Sequence, residues 1–160
     1  FYSCRRCPDC LRRGNQSAMD IEVTIISAKG LRNADDGWLT GKSDPYCICR
    51  VSGLLSHSDR TKFRTRSLRD TLNPNWNFTS VLKLDTQKLL EFEVWDEDLG
   101  SHDDFLGRAT FHCKRLVPDQ DFEGDLKLTG ALAQGSVRVR IKVLRIHEYG
   151  LMSVFCCCRS

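Results

Sequence analysis

The sequence has no long apolar run. Nothing in it approaches the roughly 18 consecutive apolar residues of a membrane-spanning helix. The N-terminal stretch FYSCRRCPDC is basic and cysteine-rich with no apolar centre, so it is not expected to act as a secretory leader. Charge of one sign is nearly absent in excess. A formal net charge of +3 implies no partner by itself and gives no reason to expect nucleic acid, so the placement of charges matters more than their sum. No glycine-rich phosphate loop follows a strand, and His57, His102, His112 and His147 lie scattered without a nucleophile beside them. Catalysis is therefore not expected. There is no internal repeat and no helical period longer than a turn or two.

What is present fits one domain: 160 residues, 41% hydrophobic and 28% charged, enough to bury a core without disulfides. Of nine cysteines, Cys4, Cys7 and Cys10 crowd one end and Cys156, Cys157 and Cys158 the other, leaving Cys47, Cys49 and Cys113 in the body. An odd count bunched at the ends is not a disulfide framework, and a reducing cytosol is the expected compartment. Three segments follow: a basic, cysteine-rich arm over 1–18, a body over 19–147 and a cysteine-rich tail over 148–160.

From Asp20 the pattern alternates with period two. Ile21, Val23 and Ile25 share one face of a half-buried strand, and Val137, Val139, Ile141 and Val143 oppose Arg138, Arg140 and Lys142 on another. Between them, residues 46–51, 62–68, 76–84, 89–95, 106–113 and 125–128 read as strands separated by turn-rich segments. Eight short strands with frequent turns predict an all-β fold, an antiparallel β-sandwich.

Carboxylates concentrate where these strands end: Asp35, Asp36 and Asp44 in the first loop, and Asp96, Asp98, Asp103 and Asp104 in a later one. Loops from distant parts of a sandwich can meet at one end of it. Carboxylates gathered there repel unless a cation neutralises them. Ca²⁺ suits such a site, being a hard ion that takes about 6–8 oxygen ligands in irregular geometry, whereas Mg²⁺ demands a stricter octahedron. The competing reading is that Asp simply favours turns.

Ser43-Asp44-Pro45-Tyr46, Asn73-Pro74-Asn75-Trp76, Val94-Trp95-Asp96-Glu97-Asp98 and Asp104-Phe105-Leu106-Gly107 resemble the signature segments of the C2 domain, the calcium- and phospholipid-binding sandwich found in protein kinase C and synaptotagmin. The resemblance covers about residues 20–146. It implies Ca²⁺, about two or three ions, held at one end of the sandwich by Asp44, Asp96, Asp98, Asp104 and an Asp of the first loop. Asp36 is assigned there with Asp35 in reserve, because residues 37–42 lengthen that loop. Asp103 is assigned as a solvated neighbour. The position of the Ser43–Tyr46 segment after the first strand, with an extra closing strand over 136–146, resembles the permuted, type II topology of the family.

Trp38 and Leu39 at the tip of the first loop, and Leu99 in the later one, are candidates for insertion into a membrane interface. The alternative for Trp38 is to fold back on its own loop. Arg50, Lys62, Arg64 and Arg66 form a basic strand face, either merely solvated or, by resemblance, a groove for phosphoinositide headgroups. The cysteines of the tail, Cys156 to Cys158, suit S-acylation, zinc with the N-terminal cysteines, or no modification at all. The expected function is calcium-dependent binding to an anionic phospholipid membrane such as one rich in phosphatidylserine, peripheral at its cytosolic face. The alternatives are a calcium-independent domain that binds protein partners as a scaffold, or the regulatory domain of a larger enzyme.

Overall fold

The computed structural model describes residues 18–34, 41–52, 61–85, 88–98, 100, 102–117 and 119–147. Residues 1–17, Asp35, Asp36, Trp38, Leu39, Leu99 and Cys156 to Cys158 lie outside the described residues, and the readings placed on them lie there too.

Eight strands run β1 (Ala18–Lys29), β2 (Pro45–Val51), β3 (Lys62–Arg64), β4 (Asn75–Asp85), β5 (Leu89–Asp96), β6 (Asp104–His112), β7 (Phe122–Lys127) and β8 (Ser136–His147), with a 3-10 turn at Cys113–Arg115. They form two antiparallel four-stranded sheets, ordered β4-β1-β8-β7 and β3-β2-β5-β6. The alternation in β1 and β8 has the structural consequence expected of it. Ile21, Val23, Ile25, Val137, Val139 and Ile141 all point into the core and are fully buried. They meet Phe92, Val94, Leu106 and Phe111 of the facing sheet. β1 leads directly into the loop that carries Ser43-Asp44, and β8 inserts between β1 and β7, the permuted order that the resemblance implied.

Three sequence boundaries are corrected. The strand expected over 62–68 ends at Arg64. There Thr65 takes over the ladder: its N–H donates to the Cys47 carbonyl at 2.9 Å, and its hydroxyl accepts the Cys47 N–H at 3.0 Å. A side chain that competes with backbone pairing ends regular structure in this way. The strand expected over 125–128 instead begins at Phe122, paired with Ile141. Residue 18, assigned to the arm, is the first of β1 and pairs with both Asp85 and His147.

Two of the signature segments owe their form to packing. Trp76 is buried, and its indole Nε1–H donates to the Pro45 carbonyl at 3.2 Å, tying the start of β4 to the start of β2. Gly107 has φ of +152°, and a Cβ there would come within 3.0 Å of Leu128 and Ala133, so a larger residue would push β6 away from the 128–133 segment.

Candidate functional site

β1 and β5 end, and β2, β4 and β6 begin, at the same end of the sandwich. The connections 30–44, 65–74 and 97–103 therefore meet there, with the 128–135 turn between β7 and β8 at the same end. The first two are stitched by backbone and short polar side chains. Leu31 N–H donates to Leu72 O at 3.1 Å and Thr71 N–H to Ser43 O at 3.0 Å. Gly30 N–H donates to Asn73 Oδ1 at 2.9 Å. Ser43 is fully buried; its N–H donates to Asn33 Oδ1 at 3.0 Å while its Oγ accepts the Ala34 N–H at 3.0 Å.

This frame fixes the first pair of predicted ligands. Asp44 N–H donates to Asp96 Oδ1 at 2.5 Å, and Glu97 N–H donates to Asp44 O at 3.1 Å, so the two loops are joined at these residues. Asp104 is the register partner of Asp96 across β5 and β6, and Asp98 follows two positions after Asp96. Asp96 is 1% exposed, and its Oδ2 is buried without a hydrogen-bond partner. A buried carboxylate oxygen left unpaired is costly. An end rich in hard oxygen donors with one such orphan fits a hard divalent cation such as Ca²⁺. Among the described residues no three His, Cys, Asp or Glu side chains converge tightly enough to hold a metal ion. Asp44 Oδ1 accepts the Asp70 N–H at 2.8 Å, and Asp35 and Asp36 lie outside the described residues.

Asp103 departs from its assignment as a solvated neighbour. Its Oδ2 accepts the Tyr46 hydroxyl at 2.6 Å, and its Oδ1 the Asp98 N–H at 3.3 Å. The Tyr46 hydrogen bond holds the Asp103 carboxyl below its ordinary pKa. Burial, followed by that same bond, pushes the Tyr46 phenol up to about 12. Asp70 was not singled out in the sequence, yet it braces the site twice, its Oδ1 also accepting the Lys42 N–H at 2.8 Å. Only its position just before the Asn73–Trp76 segment could have pointed to it.

The basic face is more balanced than its residues suggest. Arg50 pairs with Glu93 and with Glu91, the latter at 3.2 Å, and Arg64 pairs with Glu97 while its guanidinium stacks 3.6 Å over the Tyr46 ring. Ser67 Oγ also donates to Glu97, at 2.5 Å. Lys62 and Arg66 are exposed and have no ion pair among the described residues. The carboxylates opposite Arg50 come from β5, which the cross-strand register brings alongside β2. Glu93 is 3% exposed; burial raises its pKa, but hydrogen bonds from Arg50 and Arg108 outweigh that and hold it below the ordinary value. No described helix is long and apolar enough to cross a membrane.

A sandwich of this order, with acidic loops at one end, matches the C2 domain family model over residues 19–128. The chain belongs to the C2 domain family. Multiple C2 and transmembrane domain-containing protein 1 of Rattus norvegicus is 41% identical over 131 residues, which are 78% of this chain and 12% of that protein. Its Mus musculus counterpart is 41% identical over 93 residues, 56% of this chain and 8% of that protein. The chain thus spans 12% or less of the length of these curated relatives. Among solved structures, a C2 domain of plant Extended Synaptotagmin 1 superposes with a TM-score of 0.65 at 24% identity, covering 82% of this chain and 95% of that one. A calcium-bound pair of C2 domains from Extended-Synaptotagmin 2 superposes with a TM-score of 0.65 at 26% identity, covering 78% of this chain and 45% of that one.

Proposed function

We propose that this domain binds anionic phospholipid membranes in a Ca²⁺-dependent manner, as a binding module rather than a catalyst. The observation that carries the reading is Asp96 Oδ2, a buried carboxylate oxygen without a partner where the acidic loops join. Asp44, Asp96, Asp98 and Asp104, with Asp36 or Asp35 from the first loop, would hold about two or three ions. A calcium-bound structural relative at 26% identity supports the same reading.

What Ca²⁺ supplies when bound is positive charge and open coordination positions that lipid phosphates can fill. The chain's own part is to hold the carboxylates at the end of a rigid sandwich, where in the ion's absence they repel an anionic leaflet. Trp38, Leu39 and Leu99 are the apolar groups of these loops available to enter the interface. The domain would act peripherally, at the cytosolic face of a membrane. With Arg50 and Arg64 paired to glutamates, the basic face offers chiefly Lys62 and Arg66 to phosphate, which favours a general anionic lipid such as phosphatidylserine over a dedicated phosphoinositide pocket.

Co-sedimentation with phosphatidylserine vesicles tests this. The chain is expected in the pellet with Ca²⁺ and in the supernatant with chelator, and the Asp96→Asn, Asp98→Asn double variant in the supernatant under both conditions. Equal sedimentation of the wild type with and without Ca²⁺ would favour the calcium-independent scaffold instead.

A further inference from the structure

We propose that Asp103 is a positioning residue for the cation site, acting with the Tyr46 hydroxyl as a strut that sets the loop from which Asp98 and Asp104 act. The inference rests on the calcium reading above. It goes beyond that reading by assigning work to two side chains that are not themselves ligands.

The geometry is specific. The Asp103 carboxylate holds both ends of the loop: Oδ1 accepts the backbone N–H of Asp98, at 3.3 Å, and Oδ2 accepts the Tyr46 hydroxyl, at 2.6 Å. Tyr46 is 5% exposed and belongs to β2, paired with Trp95 of β5, so the far end of the strut is part of the sheet. Arg64 closes the other flank, its guanidinium over the Tyr46 ring and its charge on Glu97. Glu97 in turn donates its N–H to Asp44 O. Residues 97, 98 and 103 are thus each tied to β2 or its neighbour, while Asp96 and Asp104 are already in β5 and β6.

The consequence is energetic. A loop that must order itself around an ion spends binding energy on conformational entropy, and a loop already held does not. Both Asp103 carboxylate oxygens are engaged within the protein, one by a phenol and the other by a backbone amide.

Calcium titration calorimetry on the full 160-residue chain tests this, with thermal midpoints in chelator as the folding control. Tyr46→Phe keeps the ring and its Arg64 stacking and deletes only the hydroxyl. It and Asp103→Ala are each expected to weaken Ca²⁺ binding about threefold to tenfold, the range of the net worth of one hydrogen bond. The double variant is expected to be no weaker than either single one, since both break the same strut. Asp103→Asn can keep both contacts, its Oδ1 accepting the Asp98 N–H and its Nδ2–H donating to the phenol oxygen, and should retain most of the affinity. If Asp103→Asn were as weak as Asp103→Ala while Tyr46→Phe matched wild type, Asp103 would act by charge or direct ligation, and the strut would be refuted. A wild type that binds no Ca²⁺ defeats the calcium reading itself. Amide exchange at Asp98 in chelator then decides the strut alone: slow in wild type and fast in Asp103→Ala supports it, and equal rates overturn it.

Discussion

Replacing Asp96 by Asn should stabilise the domain without calcium and destabilise it relative to wild type with calcium. The amide keeps an oxygen to accept the Asp44 N–H, which wild-type Oδ1 accepts at 2.5 Å, so the backbone junction survives. What is removed is one of several like charges. Asp104 is the register partner of Asp96, which sets their side chains about 5–6 Å apart. At an effective dielectric near 20, that repulsion is about 3 kcal/mol. Asp104 is exposed, and solvent screening reduces the usable part to about 1–2 kcal/mol. For a domain of this size the gain corresponds to a rise of roughly 3–8 °C in melting temperature. With Ca²⁺ at about 100 times its dissociation constant, the wild type should gain about 2.7 kcal/mol, and the variant almost none. The two melting curves should therefore exchange order between chelator and calcium, read by differential scanning calorimetry. A variant that melts below wild type in chelator would refute the argument that Asp96 is held against electrostatic strain.

Two further outcomes follow from packing and charge elsewhere. Glu93→Gln leaves Arg50 and Arg108 without their shared carboxylate and should cost about 1–2 kcal/mol at neutral pH, the arginines being half exposed. Because the folded Glu93 titrates below its ordinary value, its contribution is present above the unfolded pKa of about 4.3. That contribution is lost as pH falls through the folded pKa, so urea titrations should show the variant and wild type converging in acid. Gly135→Ala should be severely destabilising or fail to fold, since its Cβ would lie 2.1 Å from the Lys29 carbonyl oxygen at a φ of +82°; a melting temperature within 2 °C or so of wild type would contradict the packing of β8 against β1.

Much of the sandwich was legible because a half-buried strand writes its two faces into alternate residues, as in β1 and β8. The signature segments were legible as patterns, but their physical content was not: Trp76 serves the site by bonding the Pro45 carbonyl, a contact 31 residues away. Charge pairing was the least legible property. Arg50, Lys62, Arg64 and Arg66 read as one basic surface, and only the β2–β5 register sets Glu91 against Arg50 and Glu93 within its reach. Likewise Asp103 differs from Asp104 by one position, yet one turns back to Tyr46 and the other begins β6. Adjacent residues leaving a loop face opposite ways, and composition cannot say which.

The most direct measurement of the central claim is Ca²⁺ affinity with and without phosphatidylserine vesicles. If lipid phosphates complete the coordination begun by Asp44, Asp96, Asp98 and Asp104, linkage requires the vesicles to tighten calcium binding by the same factor that calcium tightens membrane binding. The account predicts a gain of roughly tenfold or more with anionic vesicles and none with neutral phosphatidylcholine. An affinity unchanged by anionic vesicles would contradict it.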